Sequence, residues 1–251
     1  MPRVSCCPAP NGLTRGLATL CGGMLKFYYN ATPNPTKVAL FLEEAGIAYE
    51  PMPVDARKGE QHKSEYVAIN PNAKVPAIVD GDVTVFDSNA ILLYLAEKTG
   101  KFLPPKGDKA RGELLSWLMF VASGVGPYSG QSVHFRQYAP EKIEYALNRY
   151  AYEAQRHFSI LDARLAERKY LLGDVYTIID MAAWGWARII PTVLGESGWA
   201  KFPNLKRSVD EISARPAAQR VAALKDGHNW KAETDDDARR VMFRHMTEKV
   251  A

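Results

Sequence analysis

The 251-residue sequence predicts an α/β domain followed by an all-α domain. Two observations carry this. From Leu25 to Gly100, short apolar runs bounded by turn residues alternate with stretches of helical periodicity; beyond Pro104-Pro105 only the helical period persists. The length is sufficient for two modest domains with a sizeable core.

Leu25-Lys26-Phe27-Tyr28-Tyr29 reads as the first strand, and Asn30 to Asn34 as a loop. Asn34 is placed as an N-cap with Pro35 at the first helical position, and Val38, Leu42 and Ala45 then recur at helical spacing until Gly46. Tyr49 to Val54 is a second strand, whose Pro51 and Pro53 donate no ladder hydrogen bonds and so demand an edge. Asp55 to Pro71 is polar and weakly helical. Asp80-Gly81-Asp82, between Ala77-Ile78-Val79 and Val83-Thr84-Val85-Phe86, signals a hairpin. From Asn89, residues Ile91, Leu92, Leu95 and Ala96 line one face of a helix that Gly100 ends. The order β-α-β-(α)-β-β-α over residues 24–101 is thioredoxin-like.

Residues 102–108, with Pro104 and Pro105, read as an exposed linker, and residues 109–251 as a helical domain with a C-terminal tail. Ile143, Leu147, Tyr150, Ala154, Phe158, Leu161 and Leu165 follow steps of three and four residues, and Thr177 and Asp180 are spaced as a capping box. The tail from Trp230 to Ala251 carries an acidic run and a short helical segment. It is expected to fold back over a pocket or over a partner subunit.

Composition narrows the function. The net charge of +4 is spread among acidic residues, so no nucleic-acid footprint stands out, and no apolar run approaches the roughly 18 residues of a membrane span. Cys6, Cys7 and Cys21 all precede the first patterned segment, which rules out a disulfide framework, a cysteine nucleophile or a Cys-x-x-Cys pair in the core. The five histidines form no ligand-spaced cluster with cysteines, so no metal site is expected. Residues 1–23 contain no acid and two arginines, and Gly12, Thr14, Arg15 and Gly16 interrupt any signal-like apolar stretch. A transit peptide has weak support; the segment is expected to be a disordered extension or to lie upstream of a true start at Met24. The passages that carry chemistry are Lys74-Val75-Pro76, a proline leading into a strand, and Asp87-Ser88, an acid-serine pair opening a helix. Together they suit a small anionic peptide held by its backbone and its amino-acid end.

Tyr170-Leu171-Leu172-Gly173 followed by Thr177-Ile178-Ile179-Asp180, with Val75-Pro76 and Asp87-Ser88 upstream, resembles the cytosolic glutathione transferase family. Thr32-Pro33-Asn34, Lys58-Gly59-Glu60-Gln61, Asn70-Pro71-Asn72-Ala73-Lys74-Val75-Pro76 and Gly126-Pro127-Tyr128-Ser129-Gly130-Gln131 are similar to its bacterial Nu class. The resemblance runs from Met24 to about Leu224. It implies a cis Pro76, with Val75 pairing with the cysteinyl backbone of glutathione. Ser88 would take the γ-glutamyl carboxylate and Asp87 the ammonium, although the family usually carries Glu or Gln at that position. Gln61, Asn72, Lys74 and Arg149 match further glutathione ligands, Arg149 supplied by the second subunit of a homodimer. No tightly bound cofactor is implied, glutathione being a co-substrate, and a cytoplasmic, detoxifying enzyme is expected.

The chemical demand is stabilisation of a thiolate, since a free thiol has a pKa of about 8.5. Thr32 and Asn34 occupy the matching loop beside the first helix and can each donate a hydrogen bond. Tyr28 and Tyr29 are rivals whose strand position favours a structural role. A second-substrate pocket is expected around Gly126 to Phe135, Trp184 and Trp186, with His134 as either a polar pocket residue or a structural one. Thiolate attack on an electrophilic carbon and reduction of a small disulfide both fit, and a loop with neither tyrosine, serine nor cysteine leans to the second. The alternative, a non-enzymatic interaction module, would be expected to lose Asp87-Ser88 or Val75-Pro76; both are present.

Overall fold

The computed structural model describes residues 23–246 and 248. The extension expected over residues 1–23, with its three cysteines, therefore lies outside the described residues apart from Gly23. Strand β1 (Leu25–Tyr29) buries Leu25, Phe27 and Tyr29 on one face, the alternation its sequence requires. It pairs in parallel with β2 (Tyr49–Pro53) and antiparallel with β3 (Ala77–Asp80), which forms the hairpin with β4 (Val83–Phe86). The sheet order is β2-β1-β3-β4. β2 is thus an edge strand, the one position that tolerates both Pro51 and Pro53.

Helix α1 (Pro33–Ala45) crosses from β1 to β2 and stops at Gly46, whose φ of 68° lets its N–H reach the Leu42 carbonyl. The helix opens two residues earlier than expected: Thr32 is the N-cap, Pro33 is the first helical residue, and Asn34 lies inside the first turn. The physical reason is that first-turn N–H groups have no intrahelical partner, so Pro33 and Pro35 are both tolerated there. Helix α2 (Ser64–Val67) follows two short 3₁₀ turns, and α3 (Ser88–Thr99) follows the hairpin.

The segment expected as an exposed linker is exposed from Pro105 to Asp108 and packed at its start. Phe102 packs edge-on against Phe41, with ring centroids 5.5 Å apart, and its carbonyl accepts from Ile178 N–H at 3.0 Å. Beyond it, α4 (Ala110–Phe120) passes through a wide π turn at Val121–Val125 into α5 (Gly126–Gln137). Next come α6 (Glu144–Leu165), α7 (Ile178–Ala187), α8 (Ile190–Leu194), α9 (Pro203–Ser213), α10 (Pro216–Ala223) and α11 (Asp236–Met242). Helix α7 is buried all round and opens on the Thr177–Asp180 capping box that the sequence predicts.

One apolar core runs through both halves, from Phe27, Phe41 and Leu92 to Leu118, Phe158 and Ile178. The contact that matters for the site is α1 on α7. A Cβ on Gly185 would sit 2.9 Å from the Pro33 carbonyl oxygen and 3.0 Å from Lys37 Cβ, so a bare glycine is what lets the N-terminal turn of α1 seat on the helical domain. Ion pairs from Arg215 to Glu44 and from Arg220 to Glu43 fasten the other end of α1.

Candidate active site

A cleft of about 560 Å³ opens where the β1–α1 loop, the segment before β3 and the start of α3 converge. Val75 precedes Pro76 through a cis peptide bond. Its approach is fixed by two donors on the Lys74 carbonyl, Tyr66 Oη at 2.6 Å and Asn70 Nδ2 at 2.5 Å, while Asn70 Oδ1 accepts from Asn72 N–H at 3.0 Å. Both Tyr66 and Asn70 are buried. No hydrogen bond among the described residues uses the Val75 N–H or carbonyl. Asn72 and Lys74 line the same cleft with exposed side chains.

At the start of α3, Asp87 has a φ of 69° and acts as N-cap, its Oδ1 accepting from Asn89 N–H at 2.9 Å and Ala90 N–H at 3.1 Å. This structural duty occupies one carboxylate oxygen and holds the residue at the cleft wall. Ser88 is buried, faces the cleft and has no side-chain partner among the described residues. Since Asp87 takes the Asn89, Ala90 and Ile91 N–H groups, a small anion at this position would meet the Ser88 N–H and hydroxyl at the positive end of the helix.

The loop residues Thr32 and Asn34 are in different states. Thr32 Oγ1 donates to Asn30 Oδ1 at 2.5 Å, and that same oxygen takes Thr32 N–H at 3.0 Å, so the hydroxyl proton is already engaged. Asn34 Oδ1 accepts from Trp186 Nε1 at 3.0 Å. An indole N–H can only donate, so the amide must present its oxygen to Trp186 and its Nδ2 protons elsewhere. With proline at the first and third helical positions, Asn34 also supplies the one free backbone N–H of those three residues.

Directly behind Asn34 lies Lys37, which sequence reasoning passed over. Lys37 is fully buried and donates from Nζ to Asn89 Oδ1 at 2.9 Å. Burial brings its pKa down to about 7, with Asp87 pulling in the opposite direction. A side recess of about 330 Å³ joins the cleft here, shared through Asn34, Asp87 and Ser88 and lined by Lys37, Pro127, Gln131 and Trp186. Of the residues expected in a second-substrate pocket, Gly126, Pro127, Gly130, Gln131 and Trp186 stand here. Trp184 does not: it is a core residue on the far side of α1, donating to Ser213 Oγ at 2.9 Å. Phe135 stacks on Tyr150 instead.

The remaining expectations divide. Tyr28 packs on Tyr66 and Tyr29 donates to the Leu224 carbonyl at 3.3 Å, and neither lines the cleft. Arg149 is on α6, ion-paired with Glu153 at 3.1 Å, and lies outside this chain's own cleft. Gln61 is buried at the cleft edge and donates from Nε2 to the Val241 carbonyl at 3.2 Å, leaving its Oε1 enclosed without a partner.

Val241 belongs to the tail, which crosses the cleft. Lys231 N–H donates to Asp55 Oδ2 at 2.7 Å, Arg57 Nε to Thr234 Oγ1 at 3.0 Å and Lys58 Nζ to the Asn229 carbonyl at 2.8 Å. Asp235 caps α11, whose end places Met242 and Phe243 over the cleft. Phe243 then meets His134, ring centroids 4.8 Å apart, so His134 is part of the tail's seat on α5. No acidic or histidine grouping suited to a metal ion occurs among the described residues.

This fold is matched in known proteins. Residues 24–97 match the family model for the glutathione S-transferase N-terminal domain, and residues 122–216 the model for its C-terminal domain. The chain belongs to the glutathione transferase family. Among relatives of this transferase, the disulfide-bond oxidoreductase YfcG of Escherichia coli K12 is 41% identical over 201 residues, covering 77% of this chain and 92% of the relative. The disulfide-bond oxidoreductase YghU of the same organism is 40% identical over 216 residues, covering 78% of this chain and 73% of the relative. A glutathione transferase from Pseudomonas putida, solved with one glutathione disulfide bound per subunit, superposes with a TM-score of 0.74 at 34% identity, covering 79% of this chain and 90% of that one. Among the described residues, those lining the cleft include no cysteine.

Proposed function

We propose that this transferase binds glutathione in the cleft and uses its thiolate chiefly to reduce small disulfides. Val75 offers an open N–H and carbonyl to the cysteinyl backbone, while Ser88 and the α3 N-terminus receive the γ-glutamyl carboxylate. The unengaged oxygen of Asp87 faces the ammonium. Asn72, Lys74 and Gln61 serve the glycine end, and Arg149 reaches the cleft of a second subunit in a Nu-class-like, cytoplasmic homodimer. The observation that carries the reading is the Trp186–Asn34 hydrogen bond, which turns the Asn34 amide protons away from the indole and leaves them free to stabilise a thiolate.

In the reaction, the bound thiolate attacks one sulfur of the disulfide, the S–S bond breaks, and the other sulfur leaves as a thiolate that takes a proton. A second glutathione thiolate then attacks the mixed disulfide. The products are glutathione disulfide and two reduced thiols. The glutathione disulfide in the Pseudomonas putida structure and the oxidoreductase names of the two relatives support this direction. Conjugation is the second reading, favoured by the recess beside Asn34 with its Pro127 and Trp186 walls, which suits a flat electrophile.

Purified protein is expected to bind glutathione by calorimetry and to reduce 2-hydroxyethyl disulfide faster than it conjugates a chlorodinitrobenzene. Absence of glutathione binding would leave only a non-enzymatic module. Faster conjugation would reverse the order of the two activities.

A further inference from the structure

Among the described residues Lys37 is the only lysine or arginine that is buried, with 1% of its surface exposed. Its Nζ is held by a neutral group, the Asn89 Oδ1 at 2.9 Å, and Asp87 acts on it from further away. A buried ammonium without a close carboxylate is costly, and a methionine would fill the same place with no charge to desolvate. The cation therefore calls for a counter-charge.

The neighbouring elements do not supply one. Lys37 and Asp87 are the only charged residues lining the recess beside Asn34, where the π turn and α5 contribute Val121, Ala122, Gly126 and Gln131. Helix α7 contributes Trp186 and the bare Gly185 that leaves room over Lys37 Cβ, while Arg188, further along α7, is engaged with Thr36 Oγ1 at 2.9 Å. On α1 itself, Glu43 and Glu44 stand in the last turn and are paired with Arg220 and Arg215. On α3, the Asp87 Oδ1 already takes the Asn89 and Ala90 N–H groups. An anion arriving in the cleft is the partner that remains.

Lys37 follows Asn34 by three positions, which puts both on one face of α1, and both line the recess. Asn89, which holds the ammonium, follows Ser88 at the start of α3. The buried charge thus ties together the two helix starts that carry Asn34 and Ser88. We propose, resting on the glutathione reading above, that Lys37 is a positioning residue whose buried ammonium is the counter-charge of the bound thiolate. It acts from behind Asn34 and does not touch the sulfur, since a charge shielded from water is felt across several ångströms. Asn34 supplies the directed hydrogen bond; Lys37 supplies the field.

The pKa of the bound thiol, read from the thiolate ultraviolet absorbance of the full chain saturated with glutathione, tests the assignment alongside the pH profile of kcat/KM for 2-hydroxyethyl disulfide. Lys37→Met removes both the charge and the hydrogen bond, whereas Lys37→Gln keeps a neutral donor toward Asn89 and decides the matter if the methionine variant does not fold. Each should raise the bound-thiol pKa by about one and carry the acid limb of the profile up with it, an about tenfold loss of kcat/KM below that limb. S-methylglutathione, a thioether that forms no thiolate, should lose less affinity for either variant than glutathione does. The assignment is overturned if a folded variant keeps the parental thiol pKa, or if S-methylglutathione and glutathione lose affinity equally, which would make Lys37 a structural tether. A parent that binds no glutathione fails the glutathione reading itself, and the assignment falls with it.

Discussion

At the scale of single residues, the site turns on which hydrogen-bond donors are free. Thr32 has its hydroxyl committed to Asn30, whereas Asn34 has its amide oriented by Trp186. Asn34→Asp keeps an acceptor for the indole, removes the donor and brings a negative charge toward the thiolate. It should lower kcat/KM for disulfide reduction by about ten- to a hundredfold and raise the pKa of bound glutathione, read from the thiolate absorbance. Thr32→Val should cost less than about tenfold, and a larger loss for Thr32→Val than for Asn34→Asp would return the activating role to Thr32. The Thr32-Pro33-Asn34 motif was legible in the sequence; the ranking within it was not, because Trp186 is 152 positions away. Lys37 escaped notice for a related reason: on a helical repeat it reads as an ordinary polar position, and only the fold buries it. Its folded pKa of about 7 lies well below the ordinary lysine value of about 10.4. Between those values the unfolded chain holds a proton that the folded chain lacks, so stability rises with pH across that window and falls toward pH 7, by an amount on the order of a few kcal/mol. Urea unfolding at pH 7 and pH 10 should show this slope in the parent and lose its Lys37 share in Lys37→Met.

At the scale of elements, local rules were readable and close approaches were not. The capping box needs only Thr177 and Asp180 three positions apart, and the sequence displays it; the same Asp180 also accepts from Leu171 N–H at 2.7 Å, tying the preceding turn to α7, which no spacing announces. Asp180 is so buried that its carboxyl is pushed up to about 6 despite the Leu171 and Thr177 hydrogen bonds that favour the charged form. Two prolines made Asn34 look like the residue before a helix, when the first turn had room for both. Gly185 inside Trp184-Gly185-Trp186 carries no local signal at all, since its need is set by the Pro33 carbonyl and Lys37 Cβ on α1. Gly185→Ala places a methyl against backbone at 2.9 Å. It should gain up to about 1 kcal/mol of helix propensity and lose more than that through overpacking, about 1–3 kcal/mol. The net expectation is a lower melting temperature together with weaker glutathione binding, because the displaced turn carries Asn34. Unchanged glutathione affinity in a destabilised variant would separate α1 seating from the site.

At the scale of the whole molecule, the tail decides how open the cleft is. It leaves α10, crosses the 3₁₀ turns through Asp55, Arg57 and Lys58, and ends with Met242 and Phe243 over the cleft and Phe243 against His134 on α5. Its partners are about 175 residues distant in sequence, at spacings no periodicity encodes, so the sequence supplied a short helix but not its seat. The tail is polar where it meets the N-terminal domain and apolar where it meets the cleft, and this contrast makes it a wall of the site more than a prop for the core. Gln61 is the point of conflict: its Nε2 is bonded to the Val241 carbonyl and its Oε1 is enclosed without a partner, so the tail holds the amide that we propose serves the glycine end of glutathione. Deleting residues 236–251 should therefore leave the melting temperature close to that of the parent, since Ala238 is the one buried residue of α11 and lies outside the main core cluster. It should release Gln61 and unroof the cleft. Turnover of a bulky peptide mixed disulfide is expected to rise several-fold relative to the much smaller 2-hydroxyethyl disulfide. A ratio that stays fixed while both rates fall would mean that the tail supports the glutathione site itself, through Gln61 and the 3₁₀ turns, and does not select the second substrate.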